Sequence, residues 1–232
     1  YISGDIQKAK DCYEKAIEIN SSYADAHNNL GIAFNKLGNA SKAKDCYEKA
    51  IEINPSYADA HNNLGTIYKE SGDTQKAKIN FEKAIKIKPN YAEAHNNLGT
   101  LFSDLSDDPK AKESYEKAIK VNPNYTLAYW NLHSLTSDID DSLIILKKLH
   151  EIDNKHILAK IMISVLEGYK GNLNMFNELL TSSNSSHPYI RSAKWIFSLP
   201  KLPKLVFNRL DVFDSVIELS LKSRPFYEFG VW

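Results

Sequence analysis

Cysteine is almost missing from this chain: Cys12 and Cys46 are the only two in 232 residues. Two thiols make no disulfide framework, so folding has to rest on buried apolar surface. Net charge is missing too, because 29 Lys and Arg offset 29 Asp and Glu. That removes any global electrostatic reason to expect nucleic acid or an anionic membrane as a partner. No apolar run reaches the roughly 18 residues that span a bilayer. The best stretch, Leu158 to Leu166, is broken by Lys160. No charged leader with an apolar centre and a small-residue cleavage site is visible, so a cytoplasmic location is the expectation. The sequence opens on Tyr1 instead of Met, which suggests a piece of something longer. No nucleophile-elbow glycine pattern or phosphate loop frames its Ser, His and Asp residues, so neither catalysis nor a cofactor is expected.

What the chain does have is a period. Ala-Asp-Ala-His-Asn-Asn-Leu-Gly occurs at 24–31 and 58–65, and returns as Ala-Glu-Ala-His-Asn-Asn-Leu-Gly at 92–99. Tyr/Phe-Glu-Lys-Ala-Ile begins at Tyr13, Tyr47, Phe81 and Tyr115. Both strings recur every 34 residues, and segments 24–57 and 58–91 are identical at 19 of 34 positions. A fixed period of this length marks stacked supersecondary units.

Each unit reads as two helices. Ala26, Leu30, Ala33 and Phe34 share one face at helical spacing, as do Ala43, Tyr47, Ala50 and Ile51. Gly4, Gly38 and Gly72 are placed at turns, and Pro55, Pro89 and Pro123 stop the second helices. Small residues, Gly31 and Gly65 facing Ala43 and Ala77, let the backbones approach, while Tyr47, Phe81 and Tyr115 fill the space between adjacent units. Ala43→Leu is therefore expected to overpack the seam and cost roughly 1–3 kcal/mol in chemical denaturation.

These residues resemble the tetratricopeptide repeat: an aromatic, Leu-Gly, an aromatic, then Ala, an aromatic, Ala and Pro. His27, His61 and His95 depart from it, standing where the family usually has Trp or Tyr. The resemblance implies an all-α fold, a right-handed α-solenoid of helix-turn-helix repeats, with an irregular helical C-terminal cap. It covers residues 1–137: a half repeat at 1–20, full repeats at 21–54, 55–88 and 89–122, and the start of a degenerate one. In the half repeat the second helix has lost its partner, which invites fraying or self-association.

Beyond Pro123 the period persists while the consensus fades. His133 replaces the glycine, and Ile145, Leu149 and Ile152 stand for Ala, aromatic and Ala, so a distorted unit is expected. Residues 138–186 read as degenerate repeat-like helices, with one pair at 157–169 and 173–180 around Gly171. Residues 187–232 read as a helical linker or cap. It holds a helix at 188–198, a rigid Pro200–Pro203 connection and an amphipathic helix over 210–221. The closing Phe226-Tyr-Glu-Phe-Gly230-Val-Trp232 resembles the first strand and first glycine of class I S-adenosylmethionine-dependent methyltransferases. That would make the chain the targeting arm or linker of such an enzyme; a terminal strand or tail packed on the last helices is the other reading.

Stacking places equivalent positions in rows, and first helices line the concave side of such solenoids. One row is Asn29, Asn63, Asn97 and Asn131, whose amides could hydrogen-bond an extended peptide irrespective of its side chains. The row looks like the asparagine ladder of O-linked N-acetylglucosamine transferases; local capping or solvation is the alternative. Asn28, Asn62, Asn96 and Trp130 form a second row, and Asp25, Asp59 and Glu93 an acidic rim that favours a neutral or basic segment. The family's clamp for acidic chaperone tails needs Lys and Arg where Asn28, Glu93 and Asn97 stand, so such tails are not expected. Trp130 either anchors a ligand or packs under the cap.

His27, His61 and His95 lie one per layer, too far apart to converge on a metal. Cys12 and Cys46, also one period apart, exceed the span of a disulfide. Asp107-Asp108 and Asp140-Asp141 suit helix starts. The function expected is protein–protein interaction through a groove, with Asn63 and Asn97 as its main peptide contacts. Their replacement by Ala is expected to weaken capture with little loss of stability. A self-associating structural scaffold is a further alternative.

Overall fold

The computed structural model describes residues 2–181, with side chains from Asp5 onward. Among them all regular structure is α-helical, in eleven helices. The chain divides into two compact units, Tyr1–Pro123 and Asn124–Trp232.

The first unit is a stack of hairpins. Helix α1 (Ile2–Ile19) lies on α2 (Ala24–Lys36), which pairs with α3 (Ala40–Ile53). Helices α4 (Ala58–Glu70) and α5 (Thr74–Ile87) form the next hairpin, and α6 (Ala92–Asp104) with α7 (Asp108–Val121) the third. Each second helix also packs on the next first helix, α3 on α4 and α5 on α6. First helices touch one another directly, α2 to α4 and α4 to α6. Tyr13 and Ile17 of α1 are half-buried against the cluster of Leu30, Phe34, Ala43, Tyr47, Leu64 and Ile67, so α2 covers the apolar face of the half repeat.

Local chemistry repeats with the helices. Helices α3, α5 and α7 each start on a side chain that accepts from the N–H three residues on: Asn39 from Lys42, Asp73 from Lys76 and Asp107 from Lys110. Before Pro55, Pro89 and Pro123, residues Asn54, Lys88 and Asn122 have φ of −130°, −129° and −134°, which ends the helix as proline requires. The turns inside the hairpins use left-handed backbone at Gly38 and Gly72, with φ of 77° and 81°. Ser106 occupies the equivalent place in the third hairpin at φ 63°. Gly4 falls inside α1, in its first turn, and not at a bend.

The core is built on glycine–aromatic contacts. A Cβ on Gly31 would stand 2.6 Å from Tyr47, one on Gly65 2.7 Å from Phe81, and one on Gly99 2.7 Å from Tyr115. Each ring therefore seats against the glycine of its own hairpin. Tyr47 also clusters with Leu64 and Ile67 of the next hairpin, and Phe81 with Leu98 and Leu101 of the one after. On the opposite edge Phe34, Tyr68 and Phe102 each lie under lysines from two successive second helices: Lys10 and Lys42, Lys44 and Lys76, Lys78 and Lys110, at 5.2–6.0 Å from the ring centres. Such cation–π contacts at exposed sites contribute about 0.5–1 kcal/mol each.

The second unit carries the same hairpin in altered form. Helices α8 (Thr126–Ser134) and α9 (Ile139–Ile152) make one pair, α10 (Ile157–Tyr169) and α11 (Asn174–Thr181) another. First helices start at 24, 58, 92 and 126, then at 157, so the fourth full unit has lost three residues from the turn between α8 and α9. This corrects the register read from the sequence: Ser142, Leu146 and Leu149, all fully buried, occupy the Ala–aromatic–Ala positions instead of Ile145, Leu149 and Ile152. Bulk has moved across the seam, with His133 at the glycine position and Leu146 at the aromatic one. Gly171, φ 89°, makes the turn between α10 and α11. The tail segments read as linker, amphipathic helix and Phe226–Trp232 strand lie outside the described residues.

Candidate functional site

The asparagine rows sit on α2, α4 and α6, and they interlock. Asn63 Nδ2 donates to Asn28 Oδ1 of the preceding hairpin at 3.0 Å, and Asn97 Nδ2 donates to Asn62 Oδ1 at 3.0 Å. Asn62 Nδ2 in turn donates to Glu93 Oε1 at 3.1 Å. Asn28, Asn62 and Asn96 are 4%, 0% and 2% exposed, so this row lies within the stack and is closed to a ligand. Asn63 and Asn97 are half-buried; each Nδ2 makes that one bond, and neither Oδ1 accepts a hydrogen bond among the described residues. Asn29 begins the row with no preceding first helix among the described residues to donate to. The expectation that Asn63 and Asn97 could be removed with little effect on stability is thereby revised: each holds two hairpins together.

The acidic row is braced from the same stack. Asp25 and Glu93 are exposed, and Asp59 is half-exposed with Lys88 Nζ at 3.9 Å. Burial, and then the neighbouring Asp25 carboxylate, push the Tyr57 hydroxyl well above the usual phenol range. Burial, followed by the charges of Glu93 and Asp59, does the same to Tyr91. Both phenols stay protonated and present a donor to the acidic row. The sequence reading left these tyrosines out, although Tyr23, Tyr57 and Tyr91 recur with the same period as the asparagines.

The histidines act as loop clips. His27, His61 and His95 place Nε2 3.0–3.1 Å from the carbonyls of Ser21, Pro55 and Pro89, each six residues back. A carbonyl only accepts, so Nε2 carries the hydrogen and each ring ties the inter-hairpin loop to its first helix. His61 also sets Nδ1 3.1 Å from Asn80 Oδ1 on α5. Among the described residues no group of three His, Cys, Asp or Glu is positioned to hold a metal, and no helix is long and apolar enough to cross a membrane. Cys12 and Cys46 are free thiols, and burial pushes Cys46 up to about 11, away from thiolate reactivity. Asp107 caps α7; at α9 the cap is Asp138, which accepts from the N–H groups of Asp140 and Asp141.

Within the second unit, Trp130 packs between His133 and His156, with ring centres 5.5 and 5.2 Å away. His156 Nδ1 accepts from Ala159 N at 3.1 Å and caps α10. His133 is buried with Nδ1 2.7 Å from Ser142 Oγ, and burial lowers its pKa to about 4. Ser142 is fully buried, so this Ser–His pair has no route to a substrate and serves as a polar seam between α8 and α9. Asn131 is half-buried on the same helix as Trp130.

Comparison with known proteins agrees with this geometry. Profiles described as tetratricopeptide repeat match residues 24–57 and 92–125 in one case and 46–79 in another. A further TPR repeat profile matches 1–38 and 65–106. No curated protein matches the sequence significantly. Among solved structures, the chain is similar to YrrB, described as a TPR protein with an unusual peptide-binding site. The two are 26% identical with a TM-score of 0.58, over 79% of this chain and 97% of that one. It is similar in fold to PilF of Pseudomonas aeruginosa, at 21% identity and TM-score 0.67, over 76% and 84%. MamA gives 24% and 0.57, over 66% and 92%.

Proposed function

The chain belongs to the tetratricopeptide repeat family, and from that we propose that its first unit captures an extended polypeptide segment, neutral or basic, along the face of α2, α4 and α6. The repeat makes the chain a protein–protein interaction module; which segment it takes follows from the side chains on that face. The observation that carries the reading is the pinning of Asn63 and Asn97. Their amide nitrogens are held by Asn28 and Asn62, which fixes the amide planes and with them Oδ1 as an acceptor on α4 and on α6. Pre-fixed acceptors lose little entropy when they receive a backbone N–H. Peptide recognition of this kind is independent of ligand side chains, and the Asp25, Asp59 and Glu93 carboxylates supply the bias against acidic segments. YrrB, similar in sequence and fold, is described as having a peptide-binding site, which supports the class of ligand.

The test is fluorescence anisotropy with labelled Gly-Ser peptides carrying Lys, no charge, or Glu. Binding should rank basic over neutral over acidic, and the basic advantage should shrink with added salt. Asn63→Ala with Asn97→Ala should weaken all binding, with circular dichroism run alongside to confirm that the helices persist. Failure of every peptide to bind up to millimolar concentration would overturn the reading.

A further inference from the structure

We infer that the preferred occupant of the α2–α4–α6 face is a polyproline II segment with a basic side chain at every third residue. This rests on the peptide-capture reading above and adds the conformation and sequence period of the partner.

The stack is a ruler. Successive first helices touch directly, so their axes lie about 8–10 Å apart. Equivalent side chains on them recur at about that interval: Oδ1 of Asn63 and Asn97, and the carboxylates of Asp25, Asp59 and Glu93. A ligand running along the stack gains from every layer only if its own chemistry recurs at the same distance. In a β-strand, residues on one face are two apart, about 6.6 Å, or four apart, about 13 Å, and neither matches. In polyproline II three residues advance about 9.3 Å and return the side chain to the same face. That conformation also has no internal hydrogen bonds, so its backbone N–H groups are free to donate to the fixed asparagine oxygens.

Charge selects the side chain. The asparagine oxygens are acceptors, and the row beside them is anionic, so the face asks for donors and cations. A lysine of the protein itself already meets this row, Lys88 Nζ lying 3.9 Å from Asp59 Oδ1. The carboxylates are positioned by neighbours and not loose: Glu93 accepts from Asn62, while the protonated Tyr57 and Tyr91 hydroxyls stand beside Asp25 and Asp59. Lys88 reaches only Asp59, and among the described residues no lysine or arginine pairs with Asp25 or Glu93. Three layers then address a segment of about seven residues, basic at its first, fourth and seventh positions.

The experiment compares fluorescein-labelled Lys-Pro-Ser-Lys-Pro-Ser-Lys with isomers of the same composition whose three lysines are adjacent or alternate, using the whole chain. The in-register peptide is expected to bind about tenfold more tightly than either isomer. Asp59→Asn with Glu93→Gln should erase that difference. Equal binding of all isomers would overturn the three-residue period while leaving peptide capture standing. Tighter binding of the corresponding Glu peptide would overturn the charge assignment. No binding by these or by the neutral Gly-Ser peptide would bring down the capture reading itself, and this inference with it.

Discussion

Phe81 lies against Gly65 so closely that a methyl group on that glycine would stand 2.7 Å from ring atom Cε1. Phe81 is fully buried and cannot swing into solvent. Glycine in a helix is otherwise a liability, since alanine there is favoured by about 1 kcal/mol. Gly65→Ala is nonetheless expected to destabilise by roughly 1–3 kcal/mol, because overpacking outweighs propensity. Urea denaturation followed by circular dichroism measures it. Phe81→Leu in the same chain should recover part of the loss, and a double-mutant cycle showing no coupling would contradict the contact.

Ser106 does with a side chain what Gly38 and Gly72 do without one, holding φ 63° at the same turn. Left-handed backbone costs a non-glycine residue roughly 1 kcal/mol or more. Ser106→Gly is therefore expected to stabilise the first unit by about 0.5–1 kcal/mol, after allowing for the greater freedom of glycine in the unfolded chain. Gly72→Ala should do the reverse. It has no atom within 4 Å to clash with, so its loss would come from the backbone alone. Thermal melting of the two variants should move in opposite directions.

The contrast between these two positions shows what the sequence made legible. Period, helix pairing and the buried alanines could be read directly, because a stacked repeat imposes the same sterics on every copy. The register of α9 could not. Three residues are missing from a turn, turns tolerate deletion, and the half-buried Ile145 and Ile152 are as apolar as the fully buried Leu146 and Leu149. The asparagine rows were legible as rows but not as a network. Whether an amide faces a groove or its neighbour depends on the offset between adjacent hairpins, which no single repeat encodes. Asn62 and Asn63 are adjacent in sequence, yet one is sealed in the stack and the other stands at its surface.

Asn62 is the strictest test of that network, accepting from Asn97 and donating to Glu93 while itself fully buried. Asn62→Leu removes both bonds, but Asn97 and Glu93 can still turn to water, so a loss of about 1–2 kcal/mol is expected. Asn62→Asp should cost more at neutral pH, since it buries a carboxylate beside Glu93. Burial and like charge raise the folded pKa of the introduced carboxyl above its unfolded value. The penalty is thus full at neutral pH, starts to shrink as pH falls through that raised pKa and is gone below the unfolded value. Denaturation midpoints of the Asp and Leu variants should converge in mild acid; a constant gap would argue against the bonding pattern.

His133 gives the second unit an acid-sensitive seam. Burial holds its folded pKa at about 4, against an ordinary 6.5. The folded state therefore keeps the ring neutral while the unfolded chain takes up a proton, and stability falls with pH across the window from about 6.5 to about 4. The gap corresponds to roughly 3 kcal/mol between the two ends of that window. Carboxylates that lysines hold low, such as Asp73 and Asp107, act elsewhere: their contribution is lost only below the ordinary carboxylate range. Hydrogen exchange of peptides spanning α8 and α9 should quicken on going from about pH 7 to about pH 5, after correction for intrinsic rates, before the first unit changes. His133→Gln keeps a polar partner for Ser142 without a titrating ring. If exchange in that variant quickens as steeply as in the wild-type chain, the seam is not what acid opens.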